Sequence, residues 1–196
     1  MQEELGRLAH GADEQQEGDQ FERLEVDAEE ADRHELSMEL FEKVYRSGVC
    51  KGWPRFGLVV QAYSKRALPT LCWITALAKE CGDEIPVRLV KGAYWDNEIK
   101  WTQENGLLGY PVFTRKSHSD ISYLACARYL LSDDTDGAIY PQFATHNAQT
   151  FMAIQQMNET HQRRIEYQRL HGMGDSLYDT IMEQNPGMVV RIYAPV

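Results

Sequence analysis

Alternation constrains this chain more than any other feature: from residue 24 onward, short strand-like runs take turns with helical stretches. Leu24-Glu25-Val26-Asp27 opens as a short strand. From Ala28 to Tyr45 the apolar residues Ala31, Leu36, Met38, Leu40, Phe41 and Val44 recur at helical spacing. Gly57 to Tyr63 reads as a strand, Pro69 to Glu80 as a helix closed by Gly82, and Pro86 to Val90 as a strand. Asp96 to Gln103 is a short helix, Pro111 to Thr114 a strand, and Ser119 to Leu131 a helix. Ala138 to Ala144 follows as a strand weakened by Pro141, then a helix from Ala148 to Met157. Ile165 to Leu170, Gly174 to Gln184 and Met188 to Tyr193 complete the pattern as strand, helix and strand. The expectation is seven strands separated by six helices.

Such alternation implies a parallel sheet with helical crossovers, in one of two forms: an open doubly wound sheet or a (β/α)₈ barrel. The first strand is not followed by the Gly-x-Gly-x-x-Gly turn of a dinucleotide-binding sheet. Polar residues stand at or near the ends of most strands: Asp27, Gln61, Arg88, Thr114, His146, His171 and Tyr193. A barrel would gather these at one mouth, so the barrel is favoured, although seven strands are one short of closure.

Charge divides the chain unevenly. Net charge is −10, and the first 35 residues alone hold 13 acids against Arg7, Arg23 and Arg33. The remainder balances, with no basic stripe, which argues against binding a nucleic-acid backbone. Residues 1–20 form an acidic polar segment whose Leu5, Leu8, Ala9 and Ala12 make a weak helical stripe; it reads as a partial helix. Residues 21–196 form the barrel unit. No apolar run is long enough to span a bilayer. The start lacks a signal peptide's basic and apolar regions. Cys50, Cys72, Cys81 and Cys126 form no Cys-x-x-Cys pair and sit near no histidine at zinc-ligand spacing. They read as reduced, mostly buried residues, and no metal site is expected.

Three strand exits carry residues suited to chemistry. Arg88 through Trp95 (R-L-V-K-G-A-Y-W) delivers a cation, a second cation, a glycine and two aromatics. That set suits a planar, partly anionic ligand, or it simply plugs the barrel top. Thr145-His146-Asn147 precedes a helix, where such side chains hold a polar group, or where Asn147 merely caps the helix. Leu170-His171-Gly172-Met173-Gly174 is a third glycine-rich exit, equally readable as a plain turn. Asp27, before Ala28-Glu29-Glu30, is either a functional carboxylate or a helix cap.

The ordered stretches L-E-V-D-A-E-E-A-D-R (Leu24–Arg33), V-V-Q-A-Y-S-K-R (Val59–Arg66) and R-L-V-K-G-A-Y-W-D (Arg88–Asp96) closely resemble the proline dehydrogenase family, in its bacterial bifunctional branch. So do Y-P-V-F-T-R-K (Tyr110–Lys116), Y-P-Q-F-A-T-H-N (Tyr140–Asn147), L-H-G-M-G (Leu170–Gly174) and R-I-Y-A-P-V (Arg191–Val196). The resemblance implies a (β/α)₈ barrel that oxidises L-proline to 1-pyrroline-5-carboxylate with FAD and passes electrons to a membrane quinone. It implies a cytoplasmic enzyme, peripheral at the inner face of the membrane in its parent protein, where an aldehyde dehydrogenase domain accompanies it. By motif, Gln61, Arg88, Val90, Gly92 and Trp95 would hold the flavin ring. Thr114, Arg115 and Lys116, with Thr145, His146 and Asn147, would reach its pyrophosphate and adenosine side. Asp27, Ala93, Tyr94, Leu170 and Tyr193 would shape the proline pocket. Among all of these, Arg88, Tyr94, Asp27 and Tyr193 would serve catalysis.

Against the family pattern, the chain lacks the first strand with its lysine and the last helix with its arginine pair and glutamate. The expectation is therefore an incomplete barrel with impaired activity. The alternatives are a non-catalytic remnant that binds flavin or serves as a structural module, and, more remotely, an unrelated barrel enzyme.

Overall fold

The structure is a computed structural model that describes residues 24–27 and 30–193. The expectation of a partial helix over residues 1–20 lies outside them. Six strands form one sheet: β1 (Leu24–Val26), β2 (Phe56–Gln61), β3 (Ile85–Val90), β4 (Ile139–Ala144), β5 (Glu166–Leu170) and β6 (Val190–Tyr193). Their spatial order is their sequence order, and every neighbouring pair is parallel. The helices between them are α1 (His34–Arg46), α2 (Ala67–Cys81), α3 (Trp95–Glu104), α4 (Lys116–Leu131), α5 (Ala148–His161) and α6 (Asp175–Gln184).

The expected seventh strand, Pro111–Thr114, does not join the sheet. β3 pairs directly with β4, so no position between them is open. Val112 instead makes a single antiparallel bridge to Ser64, while Lys65 N–H donates to Pro111 O and Phe113 N–H to Tyr63 O. The segment straps the loop that follows β2. The first helix also starts later than its periodicity suggests, at His34, after a turn at 31–33. Pro141 is accommodated because the β4–β5 ladder begins only at Gln142, so the missing N–H breaks no rung on that side.

Alternation along each strand divides the sheet into two faces. Phe56, Leu58 and Val60 of β2, Val87 and Leu89 of β3, and Ile139 and Phe143 of β4 join the apolar core beneath the helices. Phe41 and Tyr45 of α1 stack on Phe56, and Phe151 of α5 packs against Tyr167 and against Tyr178 of α6. Buried tyrosine hydroxyls fasten helices to strand ends: Tyr123 donates to Leu89 O and Ala144 O, and Tyr178 to Thr145 O. Two cysteines, Cys50 and Cys126, are buried; Cys81 is half-buried and Cys72 exposed, so burial holds for only half of the four.

The other face is concave and polar. Arg88 of β3 lies 3.0 Å from Glu25 of β1, and its guanidinium carbon stands 4.6 Å from the ring centre of Tyr193 on β6. β3 and β6 are three strands apart, which at about 4.8 Å per strand would exceed this reach on a flat sheet. The sheet is therefore curled into an incomplete barrel. Lower in the concavity, Glu166 is fully buried and accepts hydrogen bonds from Arg191 Nε at 3.0 Å, Gln168 Nε2 at 2.8 Å and Gln142 Nε2 at 3.3 Å. This belt stands where closed barrels usually carry layers of branched apolar side chains.

Glu166 is fully buried while Arg191 is 36 % exposed, and Gln168 and Gln142 still donate to the carboxylate when the cation is removed. Arg191→Ala is expected to destabilise the protein by about 1–3 kcal/mol, and Glu166→Gln in the same background to recover part of that loss. Urea denaturation of the single and double variants measures both.

Candidate active site

Parallel strands deliver all their exits to one end of the sheet. A cavity of about 500 Å³ lies there. From β1 to β3 it is lined by Asp27, Gln61, Arg88, Val90, Gly92, Ala93 and Tyr94. From β4 to β6 it is lined by Thr145, His146, Asn147, Leu170 and Tyr193. Most residues singled out from the sequence thus converge in space. Trp95, Thr114, Arg115 and Lys116 do not line it. Thr114 through Lys116 are exposed beside the rim. Trp95 donates from Nε1 to Phe113 O at 2.9 Å, tying α3 to that strap.

Arg88 is the charge at the centre. Its side chain is only 11 % exposed, with Glu25 at 3.0 Å and the Asp27 carboxylate at 3.8 Å from Nη2. Asp27 itself is 74 % exposed and opens into the cavity. It is not a helix cap: α1 begins seven residues later, after Arg33. The Tyr193 hydroxyl is pushed up from its ordinary pKa by burial, against a lowering by Arg88, so it stays protonated.

The β3 exit is built to tolerances. Gly92 has φ +133°, and a Cβ there would fall 2.0 Å from the buried Tyr63 ring, so no side chain fits. Gln61 Oε1 accepts from Ala93 N–H at 3.0 Å and pins the same turn. Lys91 is bonded to Asp120 at 2.5 Å, and Lys116 to the same carboxylate at 2.8 Å. These two ammonium groups, Lys116 first, hold Asp120 below the usual carboxylate range. The bridge anchors the Arg115–Lys116 corner next to the cavity without placing it inside.

At the β4 exit, Asn147 caps α5: its Oδ1 accepts from Thr150 N–H at 2.8 Å and from the Thr150 hydroxyl at 3.1 Å. The cap reading is therefore correct for Asn147, which still borders the cavity. His146 Nε2 accepts from Leu170 N–H at 3.1 Å, so the neutral ring carries its proton on Nδ1. Burial, and then Arg169, lower its pKa. His146 ties the β4 exit to the β5 exit and offers no positive charge at neutral pH.

Sequence reasoning missed several residues. Val59 and Ala144 also line the cavity, aliphatic positions with no chemical signal of their own, beside Lys91, the second cation already noted at the β3 exit. Glu25 looked like an ordinary strand residue, and only curling brings it to Arg88. Glu98 of α3 is buried and accepts from Ala31 N–H at 2.6 Å, holding the segment that follows Asp27. Burial raises its pKa.

Two outcomes test this geometry. Gly92→Ala should destabilise the protein by about 1–3 kcal/mol, the range for overpacking, because Tyr63 must move; thermal melts check it. His146 titrates below its unfolded value, so its contribution is complete above pH ~6.5 and is lost as pH falls through the lowered pKa. His146→Gln, which can accept the same bond without titrating, should flatten that part of the acid-side stability loss in denaturant melts from pH 7 to 5.

Comparison with known proteins agrees with this fold. The sequence profile of the proline dehydrogenase family matches residues 4–196. The bifunctional protein PutA of Rhizobium meliloti is 49% identical over 176 residues, covering 88% of this chain and 14% of that protein. PutA of Salmonella typhimurium is 48% identical over 183 residues, covering 88% of this chain and 13% of that protein. This chain therefore spans well under a fifth of these relatives. Among solved structures, a bifunctional proline utilization A protein superposes with a TM-score of 0.83 at 48% identity, over 89% of this chain and 17% of its own. The Bdellovibrio bacteriovorus protein, inactivated by N-propargylglycine, gives 0.82 at 34% identity, over 89% of this chain and 18% of its own. A profile match along nearly the whole length, joined to relatives near half identical and to a shared curled sheet, places this chain in the proline dehydrogenase family.

Proposed function

We propose that this chain forms the proline-oxidising site of a longer bifunctional protein, with FAD as cofactor, L-proline as substrate and 1-pyrroline-5-carboxylate as product. The observation that carries this reading is the Arg88 guanidinium, nearly buried against Glu25 yet bordering a cavity that also holds Tyr94, Tyr193 and Asp27.

The residues present suit a flavin. Gly92 borders the cavity, its missing side chain admits the Tyr63 ring, and the Gln61–Ala93 bond fixes that turn. Val90 supplies an aliphatic wall beside Arg88. The N-terminus of α5 at Thr145–Asn147 suits an anionic group by its dipole. Trp95 and the Thr114–Lys116 corner, at the rim, would serve the parts of the cofactor that extend outside.

When bound, the flavin supplies a two-electron acceptor for hydride leaving a proline ring carbon. The chain's own residues prepare that transfer. Arg88 places a positive charge where negative charge accumulates on reduction. Tyr193, its ring beside the guanidinium, offers a flat apolar wall, and Leu170 and Ala93 narrow the pocket. Asp27 and Tyr94 present polar atoms to the substrate's ring nitrogen. In the longer protein, electrons would pass to a membrane quinone from a cytoplasmic site peripheral to the bilayer, and an aldehyde dehydrogenase domain would consume the product. As 196 residues alone, with β1 and β6 each paired on one side among the described residues, activity should be impaired by water reaching the site.

The test is anaerobic addition of L-proline to FAD-loaded protein. Proline-dependent loss of the flavin's visible absorbance is expected, and Arg88→Gln should slow it by about 10²–10³-fold, the usual scale for removing one preorganised charge or donor. Flavin that binds but is never bleached would establish the binding-only alternative. Failure to retain flavin at all would overturn the reading.

A further inference from the structure

Arg88 has two acidic neighbours of unequal weight. Asp27 is the more distant, 3.8 Å from Nη2, and is 74 % exposed, so water screens it. Glu25 lies 3.0 Å from Nε and is 12 % exposed. The sheet makes deliberate room for this pair. Glu25 is in register with Gly57 on β2, the strand between β1 and β3. A Cβ on Gly57 would stand 2.6 Å from Pro86 O on β3, so the absent side chain lets β2 and β3 approach closely beneath the path from Arg88 to Glu25. Tyr193 confines the guanidinium from the opposite edge.

We infer that Glu25 is a positioning residue for the flavin-facing arginine: it holds the Arg88 guanidinium and offsets part of its charge, setting the reduction potential of the bound flavin. This rests on the reading above, in which Arg88 stands beside the flavin. Two buried opposite charges at contact distance present a much weaker field to a third group than the cation alone. With Glu25 ionised, the reduced and more negative flavin gains less from Arg88. With Glu25 neutralised, it gains more.

The experiment measures the midpoint potential and dissociation constant of FAD in the full chain, by dye equilibration and absorbance titration. Glu25→Gln keeps the size of the side chain and removes its charge. It should shift the flavin equilibrium at least tenfold toward reduction, a rise of about 30 mV for a two-electron couple. Glu25→Asp, which keeps the charge, should stay near the parent. Arg88→Gln should move the potential in the opposite direction. If Glu25→Gln does not fold, Glu25→Asn reports the same quantity. An unchanged or lowered potential in the neutral Glu25 variants, with a lowered one in Arg88→Gln, would overturn this inference alone. No change in either set would overturn the placement of Arg88 beside the flavin, and this inference with it.

Discussion

Parallel pairing is the constraint on which the rest of this structure depends. Two neighbouring parallel strands cannot be joined by a tight hairpin, so each connection must cross back over one face of the sheet, usually as a helix. Here the helices cover the face formed by Leu58, Val60, Val87, Leu89, Ile139 and Phe143. The same constraint sends every strand end to one side. A polar residue placed at each end then needs no further device to meet the others. The cavity is thus a consequence of chain direction before it is a consequence of any contact.

Curling decides what happens on the free face. It converts positions that would lie up to three strands apart into neighbours, and it does so around charge. Arg88 meets Glu25 and Tyr193 across the concavity, whereas Glu166 collects Gln168 of its own strand and Gln142 and Arg191 of the two adjoining strands. Buried charges of this kind add little to stability over an apolar filling of equal shape. Their cost is offset by packing on the helical side, where large aromatic side chains and tyrosine-to-carbonyl bonds hold the strand ends in place. Tyr123 and Tyr178 fasten the carbonyls of Leu89, Ala144 and Thr145, which lie within or beside the strand exits. Core packing and site geometry are therefore linked through single hydroxyl groups.

The strap from Pro111 to Thr114 shows where local pattern and global topology part. Pro-Val-Phe-Thr reads as a strand by composition, yet both edges it could join are already taken by one another. It pairs weakly with the loop after β2, receives the Trp95 indole, and leads to the Lys116–Asp120–Lys91 bridge. The motif that seemed to supply a seventh strand supplies a rim.

Chain direction and most of the residues that line the cavity were legible in the sequence. Periodicity separated strand from helix, the β/α order required a parallel sheet, and residues such as Arg88, Gly92, His146 and Tyr193 announced themselves by chemistry at strand ends. Gly92 was legible because its conformation demands glycine, and Asn147 because a cap is a local bond. Which strands are neighbours was settled only on folding, since that depends on edges competing for partners rather than on any window of sequence. Folding alone revealed Glu25 and Glu98. Each looks like an ordinary acid where it stands in the chain, and each acquires its role from a group more than sixty residues away that folding brings within hydrogen-bonding distance.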